Sequence, residues 1–421
     1  MNALKTIINN NRVGQAQGIY SVCCAHPLVI EAAMLQALND DTEVLIEATA
    51  NQVNQFGGYT GMKPHDFVEF VHAIAEKVGL GTQRIILGGD HLGPVCWVNE
   101  PAEVAMEKAV ELVKAYASAG FKKIHLDASM PCDDDGERLA DAVIAERAAL
   151  MCQAAESVSE DNDILYVVGT EVPPPGGATE EHDTIEVSHV EGVQQTIELH
   201  QAAFAKFNIS DVWSRVIAVV VQPGVEFDNH QVFNYQRNEA QKLKEFITHV
   251  DNLVYEAHST DYQPDHCYHE LVQDHFAILK VGPQLTYALR EGLFALSYIE
   301  DQLVDPAKRS NLRDVCERIM LEKPHYWNKF YPTEGAQAKL FRAYSYSDRI
   351  RYYWPEDEIK QTVETLFDNL EEQIIPQTLL SQFMPMQYKA LINGQINSSP
   401  RELVLNKIME VTNTYSLACN Q

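Results

Sequence analysis

Before residue 304, a short and almost wholly apolar run recurs eight times: residues 18–25, 44–48, 85–89, 123–128, 164–170, 216–222, 253–257 and 276–281. Each run is followed by a segment of helical periodicity. Strands that are apolar on both faces need cover on both faces, which intervening helices supply. The helices are expected at 26–38, 65–78, 102–119, 137–157, 189–206, 235–247 and 285–303. In the third of these, Ala105, Ala109, Leu112 and Tyr116 mark one face, and Gly120 stops the helix before the next run. Eight such units predict an α/β fold, a closed (β/α)8 TIM barrel. An open doubly wound sheet would want a glycine fingerprint after its first strand, where this chain has Cys23-Cys24-Ala25-His26-Pro27.

Beyond the barrel, set at residues 1–304, the pattern changes. Segments 311–321, 337–341, 356–370, 375–383 and 400–412 read as helices with no strand between them. Residues 305–421 are therefore expected to form a helical C-terminal extension. Its aromatic runs, Tyr326-Trp327 and Tyr352-Tyr353-Trp354, suit packing on the barrel or on a partner.

The formal charge of -28, from 60 acidic and 32 basic residues, opposes non-specific binding to nucleic acid or anionic membrane. A phosphorylated small molecule stays admissible, because a few amides and basic side chains can override the global field locally. No apolar run is long enough for a membrane helix, and the N-terminus has no secretory apolar core. The eight cysteines form no C-x-x-C pair, so free thiols and a cytoplasmic location are expected. Cys23-Cys24 suits either core packing or a soft metal.

In such a barrel the site forms at the C-terminal strand ends. The polar residues there are His26; Glu47, Thr49 and Asn51; Asp90 and His91; His125 and Asp127; Glu171; Gln222; Glu256, His258 and Ser259-Thr260-Asp261; and Lys280. So many charged groups at strand ends imply a polar pocket, since unpaired charge is costly to bury. Asp90, Glu171 and Lys280 are the candidate catalytic groups. His91, Glu256 and His258, with Asp90, suit zinc, although a hydrogen-bonded ion network accounts for the same residues. Lys280 suits a Schiff base if desolvated, or an ion pair with Glu256 or Glu171. Candidate substrate contacts are Asn51 and Gln52, at the start of the glycine-containing loop 52–63, with Ser259, Thr260 and the amides around Gly282 as phosphate partners. That loop lacks the order of a P-loop, so no nucleotide site is assigned. Val172-Pro173-Pro174-Pro175-Gly176-Gly177 reads as a stiff lid or partner contact, and Asp133-Asp134-Asp135-Gly136 as a solvated acidic loop.

Several stretches together resemble the GatZ/KbaZ family of D-tagatose-1,6-bisphosphate aldolase subunits. They are Ser21-Val22-Cys23 with Ala25-His26-Pro27, Ile46-Glu47-Ala48-Thr49, Asn51 to Gly61, Ile85 to Pro94, Ile124 to Ser129, Gln222 to Phe227, Tyr255 to Gln263, Lys280 to Pro283, and Ser347 to Trp354 in the tail. The resemblance implies a cytoplasmic, non-catalytic, chaperone-like subunit of galactitol or N-acetylgalactosamine catabolism. It would support a catalytic GatY/KbaY-type partner that cleaves tagatose 1,6-bisphosphate to glycerone phosphate and glyceraldehyde 3-phosphate. The catalytic partner is similar to class II aldolases, in which an Asp-His at the third strand supplies a proton-transfer acid and one zinc ligand. Asp90-His91 matches that motif, whereas the two later histidines are not matched in place, leaving His258 and His230 as displaced candidates. Two other readings stand beside the accessory subunit: a metal-dependent ketose-bisphosphate aldolase in its own right, and a retaining glycosidase using Asp127 and Glu256.

Overall fold

Val, Ile and Leu fill the apolar runs, and in the computed structural model, which describes residues 3–159, 161–169, 185–332 and 334–420, these runs become parallel strands. They are β1 (Ile19–Val22), β2 (Val44–Thr49), β3 (Ile85–Leu92), β4 (Lys123–Leu126), β5 (Leu165–Val168), β6 (Val216–Val221), β7 (Val254–Ala257) and β8 (Phe276–Val281). Each pairs with its sequence neighbours, and β8 closes on β1 through Ile19 opposite Ile278. The predicted barrel is therefore present with all eight strands.

An added helix, α1 (Ala3–Arg12), precedes the barrel. The covering helices are α2 (Pro27–Asp40), α3 (Pro64–Val78), α4 (Ala102–Ser118), α5 (Asp141–Glu156), α6 (Val190–Lys206), α7 (Gln241–Ile247), α8 (Asp265–Gln273) and α9 (Pro283–Leu303). Two differ from expectation. The helix expected over 235–247 begins only at Gln241, because Tyr235 is held elsewhere: its N–H donates to Gln263 and its hydroxyl to Asp274. Helix α8 was not anticipated, since its mixed Asp, His and Glu sequence hides a short apolar face of Tyr268, Leu271 and Val272.

The barrel interior is apolar at one end and ionic at the other. Leu4, Ile7 and Ile8 of α1 plug the N-terminal end against Ile19, Leu45, Ile86, Leu165, Ile217, Val254 and Ile278. Two residues further along the same strand faces stand Glu47, Gly88, Glu256 and Lys280, and two further again Thr49, Asp90 and His258. Period-two alternation carries the interior from hydrocarbon to charge as it approaches the mouth.

The tail continues as α10 (Leu312–Glu322), α11 (Gly335–Tyr344), α12 (Asp357–Glu371), α13 (Gln377–Phe383), α14 (Pro385–Ile392) and α15 (Pro400–Cys419). Helix α15 packs on α2, α8 and α9. Its Tyr415 ring lies 4.3 Å from that of Tyr268 and 5.9 Å from that of Tyr20, and Gly18 donates its N–H to the Cys419 carbonyl. Arg351, Tyr352, Trp354, Pro355 and Lys360 form part of the wall of the cavity at the barrel mouth. No helix among the described residues is long and apolar enough to cross a membrane.

Candidate functional site

Asp90 and His91 are adjacent, and in a regular strand they would point to opposite faces. The register between β3 and β4 shows how both serve the site. Gly89 pairs with Ile124 and Leu92 with Leu126, so β3 carries one extra residue there, a bulge, and His91 takes φ of 47°. The bulge re-aims His91 toward Asp127 and His258 while Asp90 stays on the barrel face. Gly88 makes room beneath them: a Cβ at that position would stand 2.5 Å from Oε1 of Glu47.

Below the mouth lies a network of buried ions. Lys123, fully buried, reaches Glu47 Oε1 and Glu256 Oε2 at 2.6 Å each. Lys280 pairs with Glu47 and, at 2.8 Å, with Asp90. Burial opposes the charge on Lys280, but Asp90, Cys23 and Glu47 outweigh it and hold its pKa well above the ordinary value. Burial likewise works against ionised Asp90 and Glu256. Lys280 and His91 for the one, and Lys123 and Lys280 for the other, keep both well below the usual carboxylate range. Lys280 thus stays an ammonium, which suits ion pairing and does not suit attack on a carbonyl.

Three histidines converge above this layer, each tethered at its outward nitrogen. His91 Nδ1 lies 2.6 Å from Asp127, His258 Nε2 2.9 Å from Glu256, and His125 Nε2 3.0 Å from the Gly169 carbonyl. Their inward nitrogens and an Asp90 oxygen all lie within 4.8 Å of one another. Outward acceptors that fix the ring tautomers are the usual support of imidazole metal ligands. With the outward nitrogens as donors, His91 Nε2 and His258 Nδ1 would face each other as lone pairs at 3.1 Å, an arrangement that needs a proton or a cation between them. Burial opposes protonation of His91, yet Asp90 and Asp127 outweigh it and raise its pKa, whereas burial pushes His258 down to about 3. A proton on His91 shared with His258 satisfies the pair, and a divalent ion bound by the same lone pairs would replace it. The three imidazoles are ligand types that suit zinc, whereas Asp90 is already paired with Lys280 and His125 Nδ1 accepts the His91 backbone N–H.

The structure brings His91 and His258 together with Asp90 and His125. Glu256 lies beside this group, its carboxylate paired with Lys123 and 2.9 Å from His258 Nε2. His125, also a strand-end residue, stands with them. His230 lies apart, half-exposed and stacked on Phe341. Lys123, a lysine opening an apolar run, is a signal of a buried partner, and it joins Glu47 and Glu256 here. Cys23 faces the cavity, Cys24 is buried, and all eight cysteines are free. Asp127 and Glu256, the pair a glycosidase would use, are tied to His91 and Lys123 respectively.

The cavity above the donors encloses about 440 Å³ and is lined by Asn51, Gln52, Ser259, Gly282 and Lys280 among others. Thr260 does not line it: fully buried, it donates its hydroxyl to the Lys280 carbonyl and meets the Tyr415 hydroxyl at 3.0 Å. The Gly282 amide is taken by Asp261. Glu171 and the proline loop 172–177 lie outside the described residues. The tail contributes Arg351, Tyr352, Trp354 and Lys360 to the cavity, although none of them stands at a strand end.

Fold and pocket together define a (β/α)8-barrel protein with a cavity at the C-terminal mouth of its strands into which Asp90, His91, His258 and Lys280 converge, the position where such barrels handle small ligands. Sequence similarity is more specific. The chain matches the model of the D-tagatose-1,6-bisphosphate aldolase subunit GatZ/KbaZ-like family over residues 4–420, and it belongs to that family. It is 52% identical over 419 residues to the D-tagatose-1,6-bisphosphate aldolase subunit GatZ of Salmonella enteritidis PT4, covering 99% of each chain. It is 53% identical to the subunit of that name from Escherichia coli O1:K1, covering 99% of this chain and 100% of that one. Among solved structures, a probable tagatose 6 phosphate kinase from Sinorhizobium meliloti 1021 superposes with a TM-score of 0.90 at 46% identity, over 96% of this chain and 100% of that chain.

Proposed function

We propose that this chain is the accessory subunit of a cytoplasmic D-tagatose-1,6-bisphosphate aldolase, sustaining the activity and stability of a catalytic GatY/KbaY-type partner and retaining a pocket for the sugar phosphate. Beyond family membership, one geometric observation supports a non-catalytic role: Asp90, in the position of the proton-transfer acid, is locked to Lys280 at 2.8 Å and held ionised. A carboxylate so far below its usual range has no proton to give near neutral pH. Binding only the folded partner would stabilise it by linkage.

The convergence of His91, His125 and His258 favours a second reading, a zinc-dependent ketose-bisphosphate aldolase acting alone. Zinc bound there would polarise a carbonyl oxygen as a Lewis acid. One experiment separates the two: aldol cleavage of tagatose 1,6-bisphosphate by this chain, by the partner and by the mixture, each with and without zinc. The accessory role predicts no turnover by the chain alone, and faster or longer-lived turnover in the mixture than with the partner alone. Zinc-dependent turnover by the chain alone, abolished in His91→Ala, would establish the second reading instead.

A further inference from the structure

Parallel barrels commonly seat a phosphate on the amides at the start of the helix that follows the eighth strand. Here that station is filled from within. Asp261 Oδ1 accepts from the Gly282 amide at 3.0 Å and the Gln284 amide at 2.8 Å, Pro283 has no N–H, and Leu285 and Thr286 already donate to the Gly282 carbonyl. An internal carboxylate thus satisfies the amides an anion would use and repels any anion that approaches.

Charge at the cavity must come from side chains. Three lysine or arginine residues line it among the described residues: Lys280, Arg351 and Lys360. Lys280 is neutralised by Glu47 and Asp90. Arg351 has no carboxylate partner within ion-pair distance among the described residues; it donates to the carbonyls of Ser347 and Asp348 and to the Tyr352 hydroxyl. Those contacts anchor one edge of the guanidinium without discharging it. Among the described residues the Lys360 ammonium pairs with Asp357, at 3.5 Å in an exposed pair of the kind that contributes little. Arg351 and Lys360 both come from the tail and line the same cavity as Asp90, His91 and His258.

We propose that Arg351 and Lys360 form the anion subsite of this cavity, so that the C-terminal extension, and not the loops after the last two strands, holds the phosphate of a phosphorylated sugar. The sugar's oxygenated carbons then extend toward the histidine cluster. The subsite deepens the reading of a sugar-phosphate pocket and rests on it for the identity of the ligand. Glu364, one helical turn beyond Lys360 on the same wall, sets a boundary to the positive patch.

Titration calorimetry of the full chain with tagatose 1,6-bisphosphate, inorganic phosphate and unphosphorylated tagatose tests the proposal. Arg351→Lys keeps the charge but loses the planar fork, and should weaken bisphosphate binding about tenfold or more. Lys360→Gln, on an exposed helix face where folding is not at stake, should weaken it a few-fold. Glu364→Gln should leave it unchanged or tighten it, and affinity for unphosphorylated tagatose should be the same in all three variants. Equal bisphosphate affinity in the wild type, Arg351→Lys and Lys360→Gln would overturn the subsite while leaving the sugar-phosphate reading intact. Phosphate bound by the wild type and lost by the variants, with no binding of the tagatose compound, would keep the subsite and overturn the ligand. A wild type that binds no phosphate compound overturns both.

Discussion

At the scale of single residues, the pocket is governed by how buried charges share partners. Lys123 bridges Glu47 and Glu256, all three without solvent contact. Replacing it with Met keeps the volume but leaves two carboxylates short of a cation, the situation in which a broken buried pair costs about 3–5 kcal/mol. Urea unfolding of Lys123→Met should show a loss of that order, and a stability within 1 kcal/mol of wild type, on the scale of ~1 kcal/mol for exposed pairs, would mean the network is solvated in solution. Part of this network was legible beforehand. Glu47, Asp90, Glu256 and Lys280 stood out because charges inside apolar runs demand partners, but which carboxylate meets which cation depends on strands far apart in the chain.

At the scale of elements, the β3 bulge and the start of α9 do most to shape the site. The bulge lets two consecutive residues serve one cavity, and no sequence period reveals it; only the pairing of Gly89 and Leu92 with β4 does. At α9, Asp261 caps the helix from a buried position, and burial, partly offset by the Gln284 and Gly282 amides, raises its pKa from 3.8 to about 6. The folded state therefore binds this proton more tightly than the unfolded chain. Stability from this group is complete below the unfolded value and is lost as pH rises toward the folded one. Asp261→Asn keeps an acceptor oxygen for both amides and removes the titration. Its stability relative to wild type should rise by up to about 3 kcal/mol between about pH 4 and pH 6 and then level off. Urea midpoints at several pH values measure this, and a difference independent of pH would show that Asp261 does not titrate in that range.

At the scale of the whole molecule, the tail is bound to the barrel at two places. Tyr415 meets Tyr268, Tyr20 and Thr260 beside the first and last strands, and residues between Arg351 and Lys360 wall the mouth. Leu403, Val404 and Ile408 of α15 are buried, and burying side chains of this size contributes roughly 1.5–3 kcal/mol each. A chain ending at residue 304 should therefore lose cooperative thermal unfolding, and a truncated barrel that melts sharply near the full-length Tm, followed by circular dichroism, would show that the extension adds no stability. The sequence by itself determined the barrel, because period-two and period-3.6 patterning is local and eight repeats of it admit few architectures. It also determined that the strand ends carry charge, because such residues inside apolar runs require a polar pocket. Only the tertiary structure decided that His125 and not Glu256 joins His91 and His258, that Asp261 fills the helix start, and that Arg351 and Lys360 face the cavity. These depend on which residues the closed barrel and the returning tail bring within a few ångströms across long stretches of chain, and such distances leave no periodic trace in the sequence.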